Sequence, residues 1–187
     1  MEKMMERRSF LAAAMAAFPG ALIGQSSSTA TASKAVHVAD GEDRLGEHHI
    51  IGVSTTSFKV LTKDTGGDLF IIQHSNLKKK GGPPRHVHHD EDEWFYVLEG
   101  NYIAEVGTER FELKAGDSVL GPRGMPHAWA FVGEGPGKLL IAFAPANKME
   151  AFFRDNEKAH RDGVYVDDAA VFKTYGMELV GPPLSVG

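Results

Sequence analysis

The stretch Gly81-Gly82-Pro83-Pro84-Arg85-His86-Val87-His88-His89-Asp90-Glu91-Asp92-Glu93-Trp94-Phe95-Tyr96-Val97-Leu98-Glu99-Gly100 carries two histidines one residue apart, an acidic turn and then an apolar run closed by glycine. In a β-strand, residues i and i+2 project from the same face. His86 and His88 therefore point the same way, and both imidazoles can reach one place on the inside of a curved sheet. Glu93 opens the next run on the same face as Phe95 and Val97, and that parity carries its carboxylate inward with them.

A second stretch, Gly116-Asp117-Ser118-Val119-Leu120-Gly121-Pro122-Arg123-Gly124-Met125-Pro126-His127, has the same flavour. Its glycines and prolines enforce tight turns. They set His127 at the start of a fresh strand, facing the same way as Trp129 and Phe131. By this parity Phe95, Val97, Met125, Trp129 and Phe131 are expected to line the pocket, or else to serve as plain barrel packing.

The composition narrows what such a site can be. The chain has nine histidines and no cysteine, which excludes disulfides, thiolate nucleophiles and Cys-ligated zinc or iron–sulfur centres. A metal site must then use His, carboxylate or backbone oxygen, which suits Mn, Fe, Ni, Cu, Co or Zn. The net charge of −5 argues against nucleic acid or an anionic membrane surface as partner. The one basic run, Lys78-Lys79-Lys80, reads as a solvated loop.

From about Ile50 to Ala144 short alternating or apolar runs are separated by Gly, Pro, Asp and Asn. The runs 56–61, 68–74, 94–98, 102–106, 111–113, 118–120, 127–132 and 138–143 predict strands of an antiparallel sandwich or barrel. Met149, Phe152 and Phe153 follow a helical period across 147–157. A second short helix is expected over Asp167–Tyr175, stopped by Gly176, followed by an extended tail, Val180-Gly181-Pro182-Pro183-Leu184. These terminal pieces are expected to cap or dimerise the barrel.

The N-terminus has a charged start, an Ala-rich apolar run over 10–18 and a Ser/Thr/Ala stretch over 26–33, the layout of a signal peptide. Arg7-Arg8-Ser9-Phe10-Leu11 resembles the twin-arginine export motif, with Glu6 and Ala12 departing from its fullest form. The expectation is an exported protein, periplasmic or extracellular in a bacterium, cleaved near Ala30-Thr31-Ala32 and left without a membrane anchor. The expected organisation is a signal peptide over 1–32, an N-terminal arm over 33–48, a β-barrel over 49–146 and a C-terminal helical extension and tail over 147–187.

The two motif stretches resemble those of the cupin superfamily. The first family motif, G-x5-H-x-H-x3,4-E-x6-G, is met by His86, His88, Glu93 and Gly100, with Gly81 one residue short of the leading position. The second, G-x5-P-x-G-x2-H-x3-N, is met by Gly116, Pro122, Gly124 and His127, while Phe131 replaces the final Asn. The resemblance covers about residues 50–145. It implies an all-β double-stranded β-helix, a jelly-roll barrel, with short C-terminal helices. It also implies one divalent transition metal ion held by His86, His88, Glu93 and His127. Three imidazoles and one carboxylate form an N3O set that leaves a six-coordinate ion two open positions.

Within that superfamily the chain looks like quercetin 2,3-dioxygenase-like members, through Pro83 to Gly100 and through the tail from Tyr175-Gly176-Met177-Glu178 to Pro182-Pro183-Leu184. That likeness implies a dioxygenase acting on a phenolic or enol-like small molecule, with Glu93 as ligand and as the base for the substrate hydroxyl. Two other readings fit the motifs: a metal-dependent isomerase, lyase or epimerase, and a non-catalytic small-ligand-binding barrel. The expected partners are a small-molecule substrate and a second copy of the chain in a homodimer. Of the remaining polar residues, Asp90, Glu91 and Asp92 read as a solvated acidic turn, with Glu91 a rival to Glu93 at the wrong spacing. His89 reads as a surface or supporting residue. His37, His48, His49, His74 and His160 read as ordinary surface or core histidines. Arg85 and Arg123 read as surface residues, with steering of an anionic substrate as the alternative.

Overall fold

The computed structural model describes residues 34–47, 49–51, 54–76, 80–162 and 169–186. The expected export segment 1–32, His48, the Lys78-Lys79 pair and the first residues of the expected second helix lie outside them. The elements in chain order are β1 (His49–Ile51), β2 (Ser54–Val60), a 3-10 turn (Thr62–Asp64), β3 (Phe70–Asn76), β4 (Pro84–His88), β5 (Asp92–Glu99), β6 (Asn101–Val106) and β7 (Glu109–Lys114). They continue with β8 (Ser118–Gly121), β9 (His127–Phe131), β10 (Gly137–Ala144), α1 (Met149–Arg161), α2 (Ala169–Thr174) and β11 (Met177–Pro183).

The strands form two antiparallel sheets, ordered β1-β2-β3-β10-β5-β8 and β11-β4-β9-β6-β7. This is the antiparallel all-β arrangement that the strand spacing predicts, consistent with the jelly roll that the family resemblance implies. All eight predicted strands are present, and β4, the His-x-His segment, is a strand as its parity required. In β5, Glu93, Phe95 and Val97 are buried while Trp94 and Leu98 are exposed. In β10, Leu139, Ile141 and Phe143 are buried in the same alternation. The inward side chains of the two sheets share one core in which Phe58, Phe70, Ile72, Phe95, Val97, Tyr102, Trp129, Phe131, Leu139, Ile141 and Phe143 are almost fully enclosed. Each such side chain contributes about 1.5–3 kcal/mol by leaving water.

The C-terminal segment is built into this barrel. Met149, Phe152 and Phe153 fall on one face of α1, and Phe153 packs against Phe70 and Phe143 with ring centroids 6.0 and 5.7 Å apart. Phe172 of α2 packs against Phe152 at 5.5 Å. The extended tail becomes β11 and pairs with β4, setting Met177 opposite His88 and Leu179 opposite His86. Without β11, β4 would be a sheet edge with unpaired backbone groups beside its two histidines.

The Gly81-Gly82 pair explains how β9 comes close enough to close the barrel. Gly81 and Phe131 exchange backbone hydrogen bonds of 3.0 and 2.9 Å. A Cβ on Gly82 would lie 1.8 Å from the Trp129 carbonyl oxygen, and backbone cannot yield as a flexible side chain does. Gly82→Ala is therefore expected to destabilise the fold by about 3 kcal/mol or more, whereas Gly135→Ala, at a position with nothing within 4 Å, is expected to be near neutral. Denaturant unfolding of the two variants checks this, and equal midpoints would refute the close-approach argument.

Candidate metal centre

His86 and His88 project from β4, Glu93 from the start of β5 and His127 from the start of β9. Register brings them together: His86 lies directly opposite His127, and Glu93 opposite Gly121, the last residue of β8. A Cβ on Gly121 would approach the His127 ring to 3.1 Å, so the glycine makes room for the imidazole. All four side chains are at least 95 % buried, and one ligand atom from each lies within 4.8 Å of the others. Among the described residues this is the one such group of three or more.

The second nitrogen of each histidine fixes its orientation. The Nδ1–H of His86 donates to the Pro84 carbonyl at 2.8 Å, that of His127 to the Met125 carbonyl at 2.9 Å and that of His88 to Glu91 Oε1 at 2.9 Å. Carbonyl and carboxylate oxygens can only accept, so each proton sits on Nδ1 and each Nε2 turns a lone pair inward. His127 Nε2 is 2.8 Å, His88 Nε2 3.1 Å and His86 Nε2 3.7 Å from Glu93 Oε2, and the Nε2 atoms of His86 and His88 are 3.2 Å apart.

Four acceptors facing one another in a dry interior repel unless a cation lies among them. With metal–nitrogen bonds of about 2.1 Å, neighbouring ligands of an octahedral ion are about 3.0 Å apart and those of a tetrahedral ion about 3.4 Å, values that fall among the 2.8, 3.1, 3.2 and 3.7 Å separations of these side chains. The residues thus fit a divalent ion in donor chemistry and in spacing. Without an ion the cluster accepts a proton instead. Burial opposes the charged form of His88, but hydrogen bonding to Glu91 and Glu93 outweighs it and pushes the imidazole up to about 9. Burial likewise opposes ionisation of Glu93, yet its contacts with His127, His86 and His88 hold the carboxyl well below its usual range. For His86 burial prevails over the attraction of Glu93 and lowers the imidazole.

The surroundings depart from the sequence reading in several places. Glu91 is not part of a solvated turn. It is 1 % exposed, accepts a hydrogen bond from His88 Nδ1–H at 2.9 Å and accepts a second from Asn147 Nδ2 at 2.9 Å. His89 and Asp90, its neighbours, are exposed as expected, and His89 faces Glu178 at 3.7 Å. Asp92 forms a bidentate pair with Arg123, with 2.8 and 3.1 Å contacts. That pairing holds Asp92 down to about 2 and commits Arg123 to the surface. Arg85 is committed likewise to Glu105 and to the carbonyls of Gly107 and Pro126.

Of the expected pocket residues, Phe95 stands against a ligand, 5.9 Å from the His127 ring. Val97 is fully enclosed in the core. Trp129 packs on His74 and Tyr102. Phe131 fills the barrel away from the ligands, against Tyr102, Gly133 and Gly137. Met125 is 40 % exposed, with its thioether over Gly107. It sits in the turn before β9, where the backbone carbonyl points to His127 and the side chain away from the barrel. Two rings that parity within the motifs did not reach do touch the ligands: Phe143 at 5.7 Å from His88 and Phe172 at 5.7 Å from His86. His74 is a further polar group in the interior, close enough to Glu93 to feel its charge. Burial drives it down to about 4 and keeps it neutral, with Thr56 as hydrogen-bonding neighbour at 3.3 Å. His49 is buried against Phe58 and beside Asp43 and Glu157, while His37 and His160 are exposed.

Comparison with known proteins agrees with this architecture. Residues 73–143, which hold all four converging side chains, match the Cupin_2 family model, a cupin domain. An uncharacterized protein of Methanocaldococcus jannaschii, MJ1618, is 35 % identical over 65 residues, 35 % of this chain and 52 % of that protein. Quercetin 2,3-dioxygenase of Bacillus subtilis is 33 % identical over 84 residues, 45 % of this chain and 25 % of that protein. The chain thus spans about half the length of the first relative and a quarter of the second. Among solved structures, an RmlC-like cupin from Shewanella frigidimarina aligns over 63 % of this chain and 98 % of its own, with 21 % identity and a TM-score of 0.48.

Two outcomes follow for the site. His86→Ala is expected to weaken binding of a first-row divalent ion by more than about 100-fold, above what loss of a supporting residue costs. Because His88 holds a proton below about pH 9 and an ion must displace it, apparent affinity is expected to fall about tenfold for each unit of pH lowered from 8 to 6. Chelator competition with Zn2+ or Co2+ measures both, and an affinity flat in pH would contradict the assignment.

Proposed function

We propose that this protein is a metal-dependent cupin dioxygenase acting on a phenolic or enol-like small molecule. The observation that carries the reading is the buried His86, His88, His127 and Glu93 cluster, whose ligand atoms all face one another within 4.8 Å. The similarity to quercetin 2,3-dioxygenase over 84 residues supports the choice of chemistry within the fold. A bound divalent ion would supply Lewis acidity and, if redox-active, a means of reacting with O2.

The chain's own residues supply the rest. His86, His88 and His127 are locked by their Nδ1–H bonds and cannot rotate away. All three imidazole contacts of Glu93 converge on Oε2, which leaves Oε1 to accept the proton of a substrate hydroxyl. Phe95, Phe143 and Phe172 surround the imidazoles with apolar rings, a lining suited to a planar aromatic ligand that also keeps bulk water from the reacting atoms.

Metal-loaded protein is expected to consume one O2 per substrate molecule on a panel of flavonols and catechols, followed with an oxygen electrode and product analysis. Glu93→Gln is expected to lower turnover by at least about 100-fold. Conversion of substrate without oxygen uptake would move the protein to the isomerase or lyase reading. Tight binding without conversion would make it a binding barrel.

A further inference from the structure

We propose that Glu91, steadied by Asn147, is a positioning residue of the metal centre that makes His88 a stronger donor than the other two imidazoles. The inference rests on the metal-dependent reading above. Glu91 lies in the turn between β4 and β5, flanked by exposed or half-exposed His89, Asp90 and Asp92. A carboxylate in such a turn has water within reach, yet this one is 1 % exposed. Withdrawing it from solvent costs several kcal/mol unless each oxygen finds a partner.

Both oxygens do. Oε1 accepts from His88 Nδ1 at 2.9 Å and Oε2 accepts from Asn147 Nδ2 at 2.9 Å. Asn147 has φ +39°, a region that residues with a Cβ rarely adopt and that asparagine tolerates better than most. It lies just ahead of α1. The backbone there holds an uncommon conformation while its side chain reaches a carboxylate 56 positions earlier in the sequence.

The three imidazoles are consequently unequal. His86 and His127 donate to neutral carbonyls, whereas His88 donates to an anion. A carboxylate on the far nitrogen fixes the tautomer and the ring plane and raises the basicity of the nitrogen that faces the ion. Asn147 removes Glu91's freedom to turn its free oxygen elsewhere, so the His88–Glu91–Asn147 chain couples the start of α1 to one ligand.

The test uses Co2+ on the full chain, with affinity from chelator competition and the visible d–d bands as a ligand-field signature. Glu91→Gln keeps size and an acceptor oxygen but removes the charge. It is expected to bind one Co2+ about 10–100-fold more weakly, with shifted bands. Asp92→Asn loosens the same turn by breaking the Arg123 pair without touching His88, and is expected to leave affinity and bands as in the unaltered protein. Asn147→Ala is expected to weaken binding about tenfold or less in the same direction and to add nothing further once Glu91→Gln is present, the signature of one coupled unit. Co2+ binding by Glu91→Gln within twofold of the unaltered protein, with unchanged bands, overturns the proposal while leaving the metal centre standing. Should that variant be insoluble, unchanged binding by Asn147→Ala overturns it equally. Failure of the unaltered protein to bind Co2+ overturns the metal reading and this inference together.

Discussion

Inside the barrel, three imidazole Nε2 atoms and a carboxylate oxygen converge to within 4.8 Å of one another, and each imidazole donates its Nδ1–H to a partner outside the ring of four. Such an arrangement is repulsive by itself, more so where water is excluded and the effective dielectric is low. A divalent cation reverses the sign of that interaction. The scaffold tolerates the arrangement because every partner of the outward nitrogens is fixed: two are the backbone carbonyls of Pro84, at the start of β4, and of Met125, in the turn before β9, and the third is a buried carboxylate.

The barrel's construction follows from the need to bring those groups to one place. His86 and His127 meet because β4 and β9 pair at that position. β9 can approach because Gly82 has no side chain to strike the Trp129 carbonyl, and the His127 ring can lie flat because Gly121 has none either. β11 then closes the other side of β4. Loss of any one of these contacts would be felt at the centre, since side chains on strands take their direction from the backbone beneath them.

Much of this was legible in the sequence, because strand parity is a local property. His86 and His88 two residues apart, Glu93 in phase with Phe95 and Val97, and His127 after a Gly/Pro turn all follow from the period of two. What failed was whatever depends on long-range contact. Glu91 reads as a solvated acid among acids, and only Asn147, far along the chain, explains its burial. Met125 lies in a turn, where parity has no meaning, and its contribution is a carbonyl that residue identity does not reveal. Phe143 and Phe172 reach the ligands from β10 and α2, and neither lies in a motif. The tail over 180–184 reads as extended, but nothing local in it points to pairing with the strand that carries two of the histidines.

The division of labour within the chain bears on substrate choice. The segment matching the cupin model ends at Phe143, so the converging side chains belong to the shared architecture, and that architecture alone does not select a reaction. Asn147, Phe153 and Phe172 lie beyond it. They supply the brace on Glu91, the ring beside His74 and the ring against His86. The surroundings of the centre thus include side chains from α1, α2 and the turn ahead of α1. If an aromatic or enolic molecule is the substrate, its plane must pack among rings contributed partly by these helices, and its acidic hydroxyl must reach the unshared oxygen of Glu93. On the dioxygenase reading, discrimination between substrates would then draw on the C-terminal helices as well as on the barrel, because Phe172 stands against His86 while the barrel fixes where a proton and an ion can be held.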